Sequence, residues 1–125
     1  MSHLSVIKTK VSRFQREALL DVLKSLAKEL EIEIVKESTV EDKYVQISAP
    51  IIVKHKRSGR YIGFNPTTGE VIYDPFGWKD LSDKIINAVL QRYIAVVMVR
   101  KLQTMGYNVK VQQTDKAIIG MGVKV

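Results

Sequence analysis

The sequence predicts an α+β fold in two layers, with two helices on one face of a mainly antiparallel sheet, in the order β-α-β-β-β-β-α-β-β. Three observations predict it. Asp80–Met105 keeps helical spacing throughout: one apolar line runs Leu81, Ile85, Val89, Tyr93, Val96, and a second runs Ile86, Leu90, Ile94, Met98, Leu102, Met105. Arg13–Leu30 has the same spacing on one side only. Around these two segments lie short alternating stretches closed by tight turns, a pattern of antiparallel strands. The 29 isoleucine and valine residues against 9 leucines suit a β-rich core. At 125 residues the chain is one domain, 1–125, large enough to bury a core without staples.

In chain order, His3–Val11 alternates with period two and reads as a half-buried strand. Ser12 and Gln15 have capping-box spacing at the head of the first helix, Arg13–Leu30, whose apolar face runs from Phe14 through Leu19, Val22, Leu23 and Leu26. A second strand follows at Ile32–Lys36. Polar Glu37–Lys43 reads as a loop. Tyr44–His55 reads as one longer strand interrupted by Pro50, which lacks a donor and belongs at an edge or bulge. Lys56–Gly59 and Pro66–Gly69 are turns, so Arg60–Asn65 and Glu70–Asp74 complete a meander. Asp80 caps the long helix, Asp83 suits its positive end, Arg100 and Lys101 suit its negative end, and Gly106 ends it. Tyr107–Gln113 and Ala117–Val125 are the last strands, turning at Thr114–Asp115. The Gly120-Met121-Gly122 glycines mark a bulge or close approach rather than a phosphate loop, because no lysine plus serine or threonine follows them.

The long helix has an unusual middle. From Tyr93 to Val99, YIAVVMV, the Tyr hydroxyl is the only polar side-chain group. Such a segment is buried on more than one side. Val96, Val97 and Val99 are β-branched and also suit a buried strand, but the flanking caps decide for a helix. Arg92 and Arg100 bracket the run and leave it too short to cross a membrane. At 1.5 Å per residue the helix is roughly 39 Å long. One sheet and one shorter helix leave part of YIAVVMV uncovered. Tyr93, Val96, Val97 and Val99 are therefore candidate interface residues for a second copy or another protein.

The chain has no cysteine, which excludes disulfides, thiolate metal sites and thiol catalysis. No nucleophile, base and stabiliser group assembles in the sequence, and no metal-ligand or cofactor spacing is present. A signal core is missing from MSHLSVIKTK, so the expected location is cytoplasmic, or the plastid stroma for a plastid protein, with no membrane association. The net charge of +7 is uneven: residues 31–50 carry −3 while residues 51–66 carry +4 with no acid. Lys54, Lys56, Arg57 and Arg60 cluster at one turn with Tyr61 beside them, and Lys8 and Lys10 extend the patch if the first strand lies alongside. Phosphates attract cations and bases stack on rings, so this hairpin is the candidate nucleic-acid contact. Its alternative is a solvated turn with aromatics in the core. His55, among cations, stays neutral near pH 7. The acids Glu31, Glu33, Glu37, Glu41 and Asp42 form a solvated edge without calcium-loop spacing. His3 caps the first strand and is a weak contact candidate. Asp74 and Trp78 stand before the long helix, as a buried ring and a carboxylate that satisfies backbone donors.

Several of these residues also carry a likeness. The Met-Ser-His start, Ile7-Lys8-Thr9 with the helix after it, Asp74 and Trp78, Gln91-Arg92-Tyr93, and Gly106 with the strand to Gln113 resemble conserved chloroplast reading frame number thirty-five, a family of plastid, cyanobacterial and microbial proteins. The likeness covers about half the chain, mostly its ends. Three residues separate Asp74 from Trp78 here, and Leu4 stands where the family has an aromatic. The family is functionally uncharacterised, so the resemblance implies a shared fold and no activity. From the residues, the expected function is a non-catalytic binding module that self-associates or docks on a protein. Nucleic-acid binding through Lys54–Arg60 is the alternative.

Overall fold

The computed structural model describes residues 4–9, 11–113 and 118–124, from residue 108 onward by the backbone alone. In chain order the elements are β1 (Ser5–Lys8), α1 (Arg16–Leu30), β2 (Ile32–Val35), β3 (Thr39–Asp42), β4 (Val45–Ser48), β5 (Ile51–His55), β6 (Tyr61–Asn65), β7 (Glu70–Tyr73), α2 (Lys79–Thr104), β8 (Tyr107–Gln113) and β9 (Ile118–Lys124). The expected α+β class and helix order are present. A five-stranded antiparallel sheet runs β1-β7-β6-β5-β2. Alternation sends Ile51, Val53, Ile62, Phe64, Val71 and Tyr73 to one face, where they meet Leu19, Leu23 and Leu26 of α1 and Ile85, Ile86 and Val89 of α2 in one core. Both helices thus lie on that face, and they also pack on each other.

The opposite face differs from expectation. Tyr44–His55 is not one strand: Pro50 ends β4, and β5 starts in a different sheet. The polar stretch expected as a loop supplies β3, which pairs with β4 across the two-residue turn Lys43-Tyr44. Six strands rather than four therefore separate the helices. The β3–β4 hairpin lies on the far face of the large sheet and encloses a small second core of Ile47, Ala49 and Ile52. Gly63 makes this approach possible, since a Cβ there would sit 2.8 Å from the Ala49 Cβ and 3.2 Å from Ile47 Cγ2. The stretch reads as a loop because one of its two inward positions, Asp42, is charged; Val40 packs on the small core, and Asp42 is 1% exposed.

The start of α1 also departs from the capping-box reading. Phe14 is buried, edge-on to Tyr93 (centroids 4.9 Å apart) and to Phe64, with its N–H donating to the Pro66 carbonyl at 2.7 Å. Burying that ring holds residues 12–15 out of the helix. The N-cap is Gln15, with no side-chain cap bond of its own; its N–H donates to the Tyr93 hydroxyl at 2.7 Å. The acceptor that a capping box draws from its own chain segment comes here from the other helix.

At α2 the N-cap is Trp78, and Asp80 sits in the first turn, favoured by the dipole but not capping. Gly106 takes φ +91°, the left-handed stop expected of it. The helix outruns the sheet. Its 26 residues span roughly 39 Å, while five-residue strands span roughly 17 Å. Buried Ile85, Ile86, Val89 and Tyr93 face the main core. Farther along, Ala95 and Val99 are buried on a different side, and the β8–β9 hairpin lies against α2. The register of that hairpin is continuous from Tyr107↔Lys124 to Gln113↔Ile118, so the glycines at 120 and 122 make no bulge. Among the described residues, no helix is long and apolar enough to cross a membrane.

Candidate functional site

One end of the large sheet is tied together by Arg60. Its side chain is 3% exposed, which overturns its assignment to a nucleic-acid surface. The guanidinium has a fork of donors and uses it fully. Nε donates to Asp42 Oδ1 at 2.7 Å and Nη2 to Asp42 Oδ2 at 3.3 Å. Nη1 donates to the Phe76 carbonyl at 2.7 Å, and Nη2 also to the Asp74 carbonyl at 3.0 Å. The cation lies 5.2 Å from the centroid of the Trp78 ring, whose Nε1–H donates to the Asp74 carbonyl. Asp74, wholly buried, accepts the Phe76 N–H on Oδ1, as expected of a carboxylate serving the backbone; its Oδ2 lies 3.5 Å from Arg60 Nη2 without a hydrogen bond. Asp42 is thereby corrected from a solvated edge residue to a buried ion-pair partner. The cluster fastens the hairpin tip, where Tyr44 is 85% exposed, and the Asp74–Trp78 turn, where Phe76 is 51% exposed, to the sheet.

The rest of the basic turn is largely engaged within the fold. Arg57 pairs with Glu31 at 2.6 Å across a depression that also holds Lys56 and Lys28. Lys54 sits 5.9 Å from the centroid of half-buried Tyr61. Lys56 is exposed. His55 is buried, with Nδ1 taking the Ser58 N–H at 3.2 Å and lying 2.7 Å from its hydroxyl. Burial lowers its pKa, Glu31 opposes, and Arg57 lowers it further. The expected direction holds, but desolvation leads rather than the neighbouring cations. Lys8 is exposed on edge strand β1, which is separated from β5 by β7 and β6, so it does not lie beside the basic turn. Lys10 and His3 fall outside the described residues.

The second surface lies on α2. Of the four candidates there, Tyr93 (4% exposed) and Val99 (8%) are covered by the chain itself, and Val96 and Val97 pack partly on the core. The exposed apolar residues are their neighbours Ile94 and Met98, each 46% exposed, one helical turn apart. Together with Val97 and Val11 they floor an open groove of about 510 Å³ between α2 and the link leading into α1. Arg13 and Lys101 also line it. Sequence reasoning placed Ile94 and Met98 on an apolar line but not on the surface. The line continues from Ile86, which is 3% exposed, and only the overhang of α2 beyond the sheet brings its later members into solvent. Farther along α2, Arg100 lies 3.4 Å from Asp21 of α1.

No family model, curated protein or solved structure matches the chain.

Proposed function

We propose that this protein is a non-catalytic binding module that docks another polypeptide on the exposed stripe of α2. The observation that carries the reading is the groove floored by Ile94, Val97 and Met98. Other apolar residues in the middle of the helix are covered: Ile85, Ile86, Val89 and Tyr93 face the main core, and Ala95 and Val99 are buried as well. A side chain such as Ile or Met gains roughly 1.5–3 kcal/mol on full burial, so two half-exposed neighbours leave affinity for a partner to use. The partner is a second copy or a different protein. The test is a photo-crosslinking residue at position 98 in cells, with position 24 on the outer face of α1 as control. Adducts of defined mass at 98, lost with Ile94→Glu, support the reading. Equal labelling at both positions sinks it.

A second reading draws on exposed Lys56 and Arg57: nucleic-acid contact through the Lys54–Arg60 hairpin without Arg60. It predicts binding that weakens steeply with salt and is lost in the Lys56→Glu/Arg57→Glu double variant. Kinship with the chloroplast reading frame family is proposed alongside. Its support is that Asp74 and Trp78, two residues of the likeness, share one buried cluster, a role that concerns fold rather than activity.

A further inference from the structure

We infer that the α2 groove takes an acidic amphipathic segment, a short helix or strand that presents apolar residues flanked by carboxylates. The inference rests on the docking reading above and names the chemistry of the partner. The floor is aliphatic and thioether: Val11, Ile94, Val97 and Met98. Met is the most adaptable of the apolar side chains and conforms to varied apolar partners. The charged residues of the lining are both cations, Arg13 on the link leading into α1 and Lys101 on α2. Among the described residues lining the groove there is no acid, so its local charge is +2.

Helical spacing gives the groove its reach. Ile94, Met98 and Lys101 follow one another at i, i+4 and i+7 along α2, a stripe roughly 10 Å long. That length matches two turns of a partner helix, whose own i, i+3, i+4 anchors lie on such a stripe. Carboxylates beside those anchors meet Lys101, at the end of the stripe, or Arg13, on the link that lines the same groove.

The other occupants fit less well. A second copy docking groove to groove across a two-fold axis brings two Arg13 and two Lys101 into one interface, and like charges in apposition are repulsive. Nucleic acid finds cations but no ring to stack on, because Tyr93, the one aromatic lining the groove among the described residues, is 4% exposed and engaged with Phe14 and Gln15. Cations in the lining of an aliphatic groove select for carboxylates beside aliphatic anchors.

The experiment uses the full chain and synthetic labelled peptides of about five helical turns. One carries leucine at i, i+3, i+4 and i+7 with glutamate elsewhere. A second replaces glutamate with lysine, and a third scrambles the glutamate peptide so that no apolar face forms. Fluorescence anisotropy at low and high salt reads binding. The glutamate peptide should bind at least about tenfold tighter than the lysine peptide, with the margin shrinking in salt. The scrambled peptide should fail. Arg13→Glu/Lys101→Glu should reverse the order, and Met98→Glu, or the milder Met98→Gln if that variant does not fold, should weaken the binding. Equal binding of the acidic and basic peptides, or an unchanged order in the charge-reversed protein, overturns the inference. So does a dimer in sedimentation that Met98→Gln dissolves, which assigns the groove to a second copy. Adducts at position 98 in cells combined with no preference for the acidic peptide refute the acidic partner and leave the docking reading standing. No adduct and no peptide binding remove both.

Discussion

Arg60→Ala is the most informative single substitution in this fold. Removing the guanidinium deletes four hydrogen bonds, leaves Asp42 and Asp74 as buried carboxylates without a cation, and strips the Trp78 ring of its charged neighbour. Breaking a buried pair by removing one partner costs about 3–5 kcal/mol, because the remaining charge has neither water nor a counter-ion. These terms overlap, so about 4 kcal/mol is the expected total, close to a thousandfold in the folding constant. Unfolding entropy near 2.1 cal/mol/K per residue over 125 residues turns that into a fall of roughly 15 °C in Tm. Urea unfolding followed by far-UV circular dichroism measures it. Fluorescence of Trp78, the only tryptophan, adds a local reading whose baseline shifts with the mutation. Arg57→Ala is the control: its ion pair with Glu31 is 77% exposed on the arginine side, and exposed pairs contribute about 0–1 kcal/mol. If Arg60→Ala costs no more than Arg57→Ala, Arg60 is not the tie that holds hairpin, turn and sheet together.

Two further outcomes follow from other contacts. Gly63→Ala should destabilise by about 1–3 kcal/mol, because the new Cβ meets the Ala49 Cβ at 2.8 Å and the β3–β4 hairpin must lift; Gly63→Ala/Ala49→Gly should recover part of the loss, and a neutral single variant would refute the close packing. His55 has a folded pKa below its unfolded value of about 6.5, so its contribution is complete above that pH, where both states are neutral, and is lost as pH falls through the lowered folded value, because the unfolded chain takes up its proton first. His55→Asn keeps an acceptor for the Ser58 N–H without titrating; the stability advantage of the parent over this variant should shrink on acidification from about pH 8 to about pH 5, and a constant advantage would contradict the buried neutral ring.

Periodic stretches were legible in the sequence, whereas long-range choices were not. Leu19, Leu23, Ile85 and Val89 sit in the core because helical and strand spacing are local properties. The β3–β4 hairpin escaped because its signal is tertiary: Asp42 faces inward only because Arg60, eighteen residues later, receives it. The capping box at Ser12 gave way to the same kind of effect, since the burial of Phe14 outweighed a local cap and Tyr93 supplied the acceptor instead. At the candidate site, the sequence singled out the apolar Tyr93–Val99 segment of α2, but its named candidates Tyr93 and Val99 are buried while Ile94 and Met98 are exposed. It could not say which side of the segment remained in solvent, because that depends on where the sheet stops and where the terminal hairpin lies.

The basic composition illustrates why net charge is a poor guide to a site. A cluster of cations in sequence, Lys54 to Arg60, dissolves in three dimensions: Arg60 is buried between carboxylates, Arg57 spans to Glu31, and Lys54 leans on Tyr61. Lys79 and Arg100 are likewise engaged, with Asp83 and Asp21. A cation already paired has given up most of the field it could offer a ligand, and on an exposed surface salt screens much of the remainder. Arg13 and Lys101 are eighty-eight residues apart in sequence and belong to no basic run, yet the fold brings both to the lining of one largely apolar groove. A partner whose apolar side chains cover Ile94 and Met98 excludes water there and so strengthens the attraction of the two cations for its carboxylates, whereas a bare, fully hydrated anion brings no apolar surface and excludes none. The pairing of charge with exposed aliphatic surface, rather than the excess of charge, is what gives this groove a preference.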